Sequence, residues 1–299
     1  MRDSEPSSVG PQEPRRDDNV EREGPYIGPE GQPPRGFKRI TVGRAQILAR
    51  PEAASWSRQA VEEYGSLYQA ARASARRTLH GRGPVPVVAN PDGAGPPWVV
   101  RRYRRGGLMR SFGDRFLRLG RPRSFIELES SARIVELGFT TPRIVAAAVY
   151  PRGVLYRADL VTEFVPHART LADVLFGIHD PSDGRAAGDA RREALTCTRD
   201  LITRLSEAGV RHKDLNARNI LIAREEQHVH AILLDLDGCR LAGPGDSVNA
   251  GRLQRRLARS IRKLDRTHQR SQQRTDQDGG GNLTKDEMNH LLGLDRTTS

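Results

Sequence analysis

The stretch VRHKDLNARNILIA, Val210 to Ala223, decides how the rest of the chain is read. Its second half, Asn219 to Ala223, is an apolar run of strand-forming residues, so the charged and amide side chains before it fall on a loop entering a buried strand. A plain connection would carry Gly, Pro or Ser and one or two charges. This one carries His212, Lys213, Asp214, Asn216, Arg218 and Asn219 within eight residues. Loops held by a rigid scaffold are where chemistry is usually placed.

A second acidic segment, LLDLDG, follows a second short strand. Asp214, Asn219 and Asp235 in that order match the needs of phosphoryl transfer. One carboxylate positions an attacking hydroxyl and accepts its proton. An amide oxygen and another carboxylate hold Mg²⁺ on the phosphates of a nucleotide. Mg²⁺ favours hard oxygen ligands and takes only one or two carboxylates from the protein. Asp237 lies two residues beyond Asp235, and at a strand end both would face one side, so Asp237 is expected to assist or replace it.

Working outward, the chain of 299 residues is long enough for two lobes. Residues 1–36 are rich in Pro, Gly and charge, and read as a disordered tail. Residues 37–165 form a strand-rich half: FKRITVGRAQILA, a helical stretch from Trp56 to Thr78, a hairpin of LHGRGPVPVVA and PPWVVRRY, then the helix SFIELESSARIVELGF, and the strands TPRIVAAAVY and YRADLVTEFV. On that helix Ile126, Leu128 with Ala132, Val135 and Leu137 are expected to share the buried face. Residues 166–270 read as mostly helical, with the strands NILIA and AILLDLDG separated by polar REEQHVH. Leu253, Leu257, Ile261 and Leu264 make one apolar stripe on an arginine-covered helix. Residues 271–299 are expected to be a flexible tail. Its segment DQDGGGNLTKDE, Asp276 to Glu287, follows an EF-hand Ca²⁺ loop in outline but has Gly280 where a ligand should stand.

Lys and Arg number 49 against 37 Asp and Glu, a formal charge of +12 that favours anionic partners. Residues 101–123 hold nine arginines and one acid, interleaved with Leu108, Met109, Phe112, Phe116, Leu117 and Leu119. This pattern suits an anionic membrane surface. Nucleic acid is the competing partner by charge, but aromatics at 5% argue against base stacking, and no nucleic acid is expected. Cys197 and Cys239 have no metal-binding spacing and fit a reducing compartment. No apolar run long enough for a membrane span or signal peptide is seen, so the expected location is cytoplasmic, peripheral to the inner face of the inner membrane.

His212-Lys213-Asp214-Leu215 with Asn219, followed by Asp235-Leu236-Asp237-Gly238, resembles the signature set of protein kinases. No A-P-E-like segment and no room for an activation loop precede NAGRLQRRL, which disfavours a regulated protein kinase. More closely, RRYRRGGL, RSFIELESSARIVELGFTTPRI, YRADLVTEF, HKDLNARNILI, LLDLDGCR and GRLQRRLARSI resemble the bacterial lipopolysaccharide kinase family, nearest its branch acting on 3-deoxy-D-manno-octulosonic acid (Kdo). The resemblance covers about residues 78–264. It implies a kinase-like α+β fold of two lobes, β-rich then helical. It further implies phosphorylation by ATP of a Kdo hydroxyl on a lipid A precursor, a glycolipid, in lipopolysaccharide inner-core synthesis.

The resemblance makes Asp214 the catalytic base, with Asn219 and Asp235, aided by Asp237, as Mg²⁺ ligands. His212 orients the loop and Lys213 helps neutralise the transferred phosphate. Arg101 falls where kinases carry a phosphate-binding Lys, with Arg102 as the alternate. Glu127 is the acid paired with that cation, with Glu129 as fallback. Gly81 and Gly83 in HGRG are either a short flap over the phosphates or an ordinary hairpin turn. Glu163 and Val165 fall at the linker, where backbone groups would meet adenine. The alternatives are a kinase of another sugar or of protein, or a pseudokinase that binds without turnover. Oligomeric state is left open.

Overall fold

The computed structural model describes residues 33–80, 83–93, 95–104, 114–118, 120–177, 184–225, 228–242, 248–275 and 284–293. The first 32 residues, Gly81, and most of the EF-hand-like loop therefore lie outside the described residues, as do positions 105–113 of the basic segment.

The strand-rich half is one antiparallel sheet. Its strands are β1 (Lys38–Val42), β2 (Ala45–Ala49), β3 (Arg77–His80), β4 (Pro84–Val88), β5 (Trp98–Arg102), β6 (Phe116–Leu117), β7 (Ile144–Arg152) and β8 (Leu155–Glu163). They lie in the order β1-β2-β7-β8-β5-β4-β3, with β6 on β8. Helices cover both faces, which is why β7 reads as an unbroken apolar run rather than an alternating one. Ala146 and Ala148 pack with Trp98, Val100 and Leu67 toward one face. Ala147 and Val149 pack with Phe125, Leu128 and Leu160 toward the other.

On the first face sit α1 (Pro51–Tyr64) and α2 (Leu67–Ser74). The single helix expected from Trp56 to Thr78 is two helices, beginning earlier and ending earlier. Pro51 starts the first, where its missing N–H costs nothing, and Gly65 ends it in the left-handed region at φ 74°. Ser66 then caps the second, its Oγ accepting from Gln69 N at 3.2 Å. Thr78 is already in β3.

On the opposite face lies α3 (Arg123–Glu136), and its buried side matches the expected one at Leu128 but not at Val135 or Leu137. Ser124, Glu127, Leu128, Ser131 and Ile134 are buried, whereas Val135 is 54% and Leu137 39% exposed. Two serines and a glutamate have taken the inward positions. Ser124 Oγ donates to Ala148 O at 3.2 Å, and Glu127 has the partners described below.

The helical half holds β9 (Arg169–Thr170), α4 (Leu171–Phe176), α5 (Gly184–Glu207), β10 (Val210–His212), β11 (Ile220–Glu225), β12 (His228–Leu233), β13 (Cys239–Leu241), α6 (Ala250–Thr275) and α7 (Lys285–Leu292). The polar spacer REEQHVH is largely absorbed into the β11–β12 hairpin. The stripe on α6 is as expected: Leu253, Leu257 and Ile261 are buried in the core and Leu264 packs beside it. Residues 284–293 do not form a loose tail. Met288 and Leu291 of α7 are buried against the same core. Thr284 and Glu287 form a capping box at its start, and Arg191 Nε lies 2.9 Å from Glu287 Oε1. Glu287, the residue an EF-hand would need as bidentate ligand, is thus committed to a helix cap and an ion pair. The described part of that segment does not fit a Ca²⁺ loop.

Candidate active site

The loop after β10 is built so that apolar residues alternate inward and polar ones outward. Leu215 and Ala217 are buried, and Lys213 and Asp214 are exposed. Amide side chains fold the loop onto itself. Asn216 Nδ2 and Asn219 Nδ2 each donate to Asp214 O at 2.9 Å, and Arg218 N donates to Asn216 Oδ1 at 2.9 Å. With Asn219's NH₂ spent there, its Oδ1 is the end available to a cation. The loop is also pinned from outside. Ala217 O accepts from Ala172 N of α4 at 2.9 Å, and Ala217 N donates to Ser260 Oγ of α6 at 3.4 Å.

The second acidic segment is tied to this loop. Leu234 N donates to Asn219 O at 2.9 Å, and Lys213 N to Gly238 O at 3.2 Å. Asp235 therefore emerges directly beyond Asn219. Its backbone is left-handed (φ 60°, ψ 58°), and Leu236–Gly238 form a 3₁₀ turn. A non-glycine residue there marks strain that the surroundings impose. The expected strand end does not exist, so Asp235 and Asp237 do not share a strand face. Asp235 Oδ1 lies 3.6 Å from Arg101 Nη1, whereas Asp237 Oδ2 lies 3.4 Å from Arg123 Nε at the start of α3. Burial and the neighbouring Asp235 push the Asp237 carboxyl up. His212 is buried beneath, its Nε2 donating to Leu234 O at 3.1 Å.

The third part comes from β5 and α3. Arg101 Nη2 meets Glu127 Oε1 at 2.5 Å, and Tyr103 OH donates to Glu127 Oε2. Burial pushes the Glu127 carboxyl up while Arg101 pulls it back. Burial works against the Arg101 guanidinium, yet Glu127, Tyr103 and Asp235 together raise it above its ordinary value. The strand's alternation resolves the choice between Arg101 and Arg102. Arg102 points to the other side, bonding Asp159 Oδ1 at 3.3 Å and Ser66 Oγ at 3.0 Å. Glu129, the fallback acid, pairs instead with Arg121. Tyr103 escaped the sequence reading, although period-two spacing puts it on the face of Arg101; Arg123 escaped because its partner lies 114 positions on.

The remaining expected residues are peripheral. Gly83 immediately precedes β4, and an added Cβ there would meet only the flexible Arg104 guanidinium at 2.8 Å. At the linker Glu163 N donates to Arg143 O at 2.9 Å and Glu163 Oε1 meets Arg143 Nη1 at 2.6 Å, so its N–H and side chain are occupied. Val165 follows Phe164, whose N–H donates to Pro97 O at 2.7 Å. Among the described residues no three His, Cys, Asp or Glu side chains converge as a self-sufficient metal site. One carboxylate and one amide oxygen suit Mg²⁺ that arrives on a nucleotide and keeps waters.

In protein kinases, a cation on the third strand pairs with an acid on the following helix, close to a metal-binding Asp. Arg101, Glu127 and Asp235 reproduce that arrangement with Arg in place of Lys. The model of the lipopolysaccharide kinase (Kdo/WaaP) family matches residues 69–278. The chain belongs to this family. Curated relatives named 3-deoxy-D-manno-octulosonic acid kinase include one from Haemophilus influenzae (strain PittGG), 33% identical over 192 residues, 62% of this chain and 76% of that one. The one from Vibrio cholerae serotype O1 is 34% identical over 189 residues, covering 59% and 74%. The one from Xanthomonas euvesicatoria pv. vesicatoria (strain 85-10) is 36% identical over 187 residues, covering 62% and 68%. A solved structure described as WaaP in complex with acyl carrier protein aligns with a TM-score of 0.48 at 15% identity, covering 83% of this chain and 87% of that one. This member of the lipopolysaccharide kinase family is an ATP-dependent kinase of α+β fold.

Proposed function

We propose that this kinase transfers the γ-phosphoryl group of ATP to a hydroxyl of Kdo on a lipid A precursor during lipopolysaccharide core synthesis. The observation that carries the reading is the joining of three distant segments: Arg101 bridges Glu127 and Asp235, while Asn219 is bonded to the strand that delivers Asp235. The relatives' shared name supplies the acceptor.

In the proposed step the acceptor oxygen forms a bond to Pγ as the bond from Pγ to the β–γ bridging oxygen breaks, releasing ADP. Asp214, exposed at the loop tip, accepts the hydroxyl proton. Arg101, kept charged and aimed by Glu127, forks onto the ATP phosphates. Lys213, exposed beside Asp214, faces the transferred group. Asn219 Oδ1 and Asp235 are the residues that would hold Mg²⁺, with Asp237 held away by Arg123; the metal would supply neutralisation of phosphate charge. Adenine meets the carbonyl of Glu163 and the backbone of Val165. Positioning and charge neutralisation supply most of the acceleration.

A glycolipid acceptor places the enzyme at a membrane surface, peripherally. Among the described residues no helix is long and apolar enough to cross a membrane.

The test incubates the purified protein with ATP, Mg²⁺ and a Kdo-bearing lipid A precursor, with Asp214→Asn alongside, and follows the lipid by mass spectrometry. One added phosphate with wild type alone is expected. ATP binding with no phosphate on the lipid would sink the acceptor assignment.

A further inference from the structure

An open cavity of about 270 Å³ adjoins the catalytic loop at Arg218, lined besides by Ala172, Asp173, Phe176, Leu264, Thr267 and His268. All of these residues come from the helical half, so the cavity is separate from the nucleotide-facing strands. We infer that it is the acceptor subsite and that Arg218 binds the carboxylate of the sugar acid whose hydroxyl is phosphorylated. The inference rests on the function proposed above.

Four observations carry it. First, Arg218 belongs to the catalytic loop, four residues after Asp214 and one before Asn219. Even a fully extended chain would separate the two Cα atoms by only about 14 Å, and the hydrogen bonds from Asn216 and Asn219 to Asp214 O fold it tighter. An anion held by an arginine side chain there leaves the rest of one sugar to reach Asp214.

Second, the wall and the catalytic base are one rigid unit. Ala217, next to Arg218, is bonded through its carbonyl to α4 and through its N–H to α6, the two helices that form the rest of the cavity. The backbone that carries Arg218 is therefore anchored to the same helices as the loop that carries Asp214.

Third, the charge arrangement gives direction. The Arg218 side chain is exposed and makes no ion pair among the described residues. Asp173, which also lines the cavity, has its Oδ2 accepting from Thr170 Oγ1 at 2.7 Å. A sugar acid can enter one way: carboxylate toward Arg218, hydroxyls toward Asp173 and Thr267. A guanidinium binds a carboxylate through two parallel hydrogen bonds, which fixes the ring as well as attracting it.

Fourth, the size and lining suit a single sugar. The volume falls just below the usual range of ligand pockets, and the Phe176 ring, with the His268 ring centroid 5.9 Å away, offers an apolar face among polar groups. Arg262, Lys263 and Arg266 are exposed on the adjoining turns of α6, where the rest of a phosphorylated glycolipid would leave the cavity.

The experiment compares wild type, Arg218→Gln and Arg218→Lys with two acceptors: the Kdo-bearing lipid A precursor and its Kdo methyl ester. Loss of one charge-assisted fork is expected to raise the acceptor KM of Arg218→Gln by roughly tenfold to a hundredfold, with kcat and the Kd for ATP little changed. Arg218→Lys is expected to recover part of the loss, because charge is kept and the fork is not. On the methyl ester, wild type and Arg218→Gln should give equal KM values. An unchanged KM in Arg218→Gln, or an equal loss on acid and ester, overturns the subsite. A dephosphorylated precursor separates the sources of negative charge: if removing the lipid phosphates, and not esterification, abolishes the Arg218 effect, the carboxylate assignment is overturned. Failure of wild type to phosphorylate the precursor at all would instead reject the proposed function.

Discussion

Arg101 and Glu127 show how a single pair joins the two halves of the site. Glu127 is buried at 4% exposure and holds both a guanidinium and the Tyr103 hydroxyl. Glu127→Gln keeps the shape and an acceptor for Tyr103 but removes the charge that aims Arg101. The expected result is a folded protein whose kcat/KM for ATP falls about a hundredfold, the scale of losing one preorganised electrostatic contact; steady-state kinetics within twofold of wild type would refute the aiming function. His212 makes a different prediction. Its Nε2 donates to Leu234 O, and Nδ1 is buried with no partner among the described residues. Burial holds its pKa below the ordinary imidazole value, against the pull of the Leu234 carbonyl and the Asp235 and Asp214 carboxylates. The unfolded chain then binds the proton more readily than the folded one. Stability from this group is present above about pH 6.5 and is lost as pH falls through the lower folded value. Glu127, Asp159 and Asp237 are shifted upward by burial and act with the opposite sign, losing stability as pH rises above the ordinary carboxyl range. Melting curves of wild type against His212→Gln between pH 7.5 and about pH 5 should therefore differ in slope, the wild type losing stability toward acid relative to the variant. Parallel slopes would show that His212 does not titrate in that window.

At the scale of elements, what was legible followed how local the information was. The loop from Val210 to Asn219 and the strands flanking it could be read because turn, motif and apolar run occupy one short window. Arg101 could be placed on a strand, but not on a face of it, until Glu127 and Asp159 chose between Arg101 and Arg102. The helix α3 was found and its face read correctly at Leu128 but not at its C-terminal end. Apolar counting favours Val135 and Leu137, whereas the helix turns Glu127 inward to serve Arg101 and Ser124 inward to bond β7. Function thus overrides amphipathicity over that helix. The 3₁₀ turn at Leu236–Gly238 was invisible because nothing in LLDLDG announces a left-handed aspartate. The α7 helix was missed because its support is remote: Arg191 lies 96 residues from Glu287 in sequence. That packing predicts that Leu291→Ala, at a fully buried position, destabilises the protein by about 2–4 kcal/mol in urea unfolding. Millimolar Ca²⁺ should leave the melting temperature unchanged, because Glu287 is already engaged. A Leu291→Ala loss under about 0.5 kcal/mol would mean that α7 is not docked in solution.

Over the whole molecule, the excess of 49 basic over 37 acidic residues is not spread evenly. Within the basic segment 101–123, Arg101 and Arg102 are consumed by inward ion pairs, and Arg123 by Asp237. Those residues serve the fold and the site rather than a surface. By contrast α6 keeps its apolar stripe inward and leaves Arg252, Arg255, Arg256, Arg259, Arg262, Lys263 and Arg266 exposed, with one acid, Asp265, along that run. The outer side of α6, beside the proposed acceptor cavity, is therefore the surface we propose for contact with an anionic bilayer. Each basic residue near an anionic leaflet contributes about 1 kcal/mol, and salt weakens the attraction. Replacing Arg259, Arg262, Lys263 and Arg266 together by Gln should weaken binding to phosphatidylserine-containing vesicles by up to about 4 kcal/mol, roughly a thousandfold. The melting temperature should hardly move, because the four side chains are exposed and Gln is a good helix former. Wild type should sediment with such vesicles at low salt, not with neutral ones, and be released near 0.5 M salt. Undiminished binding by the fourfold variant would move the membrane contact away from α6, and the basic segment 101–123 would then be the next surface to neutralise.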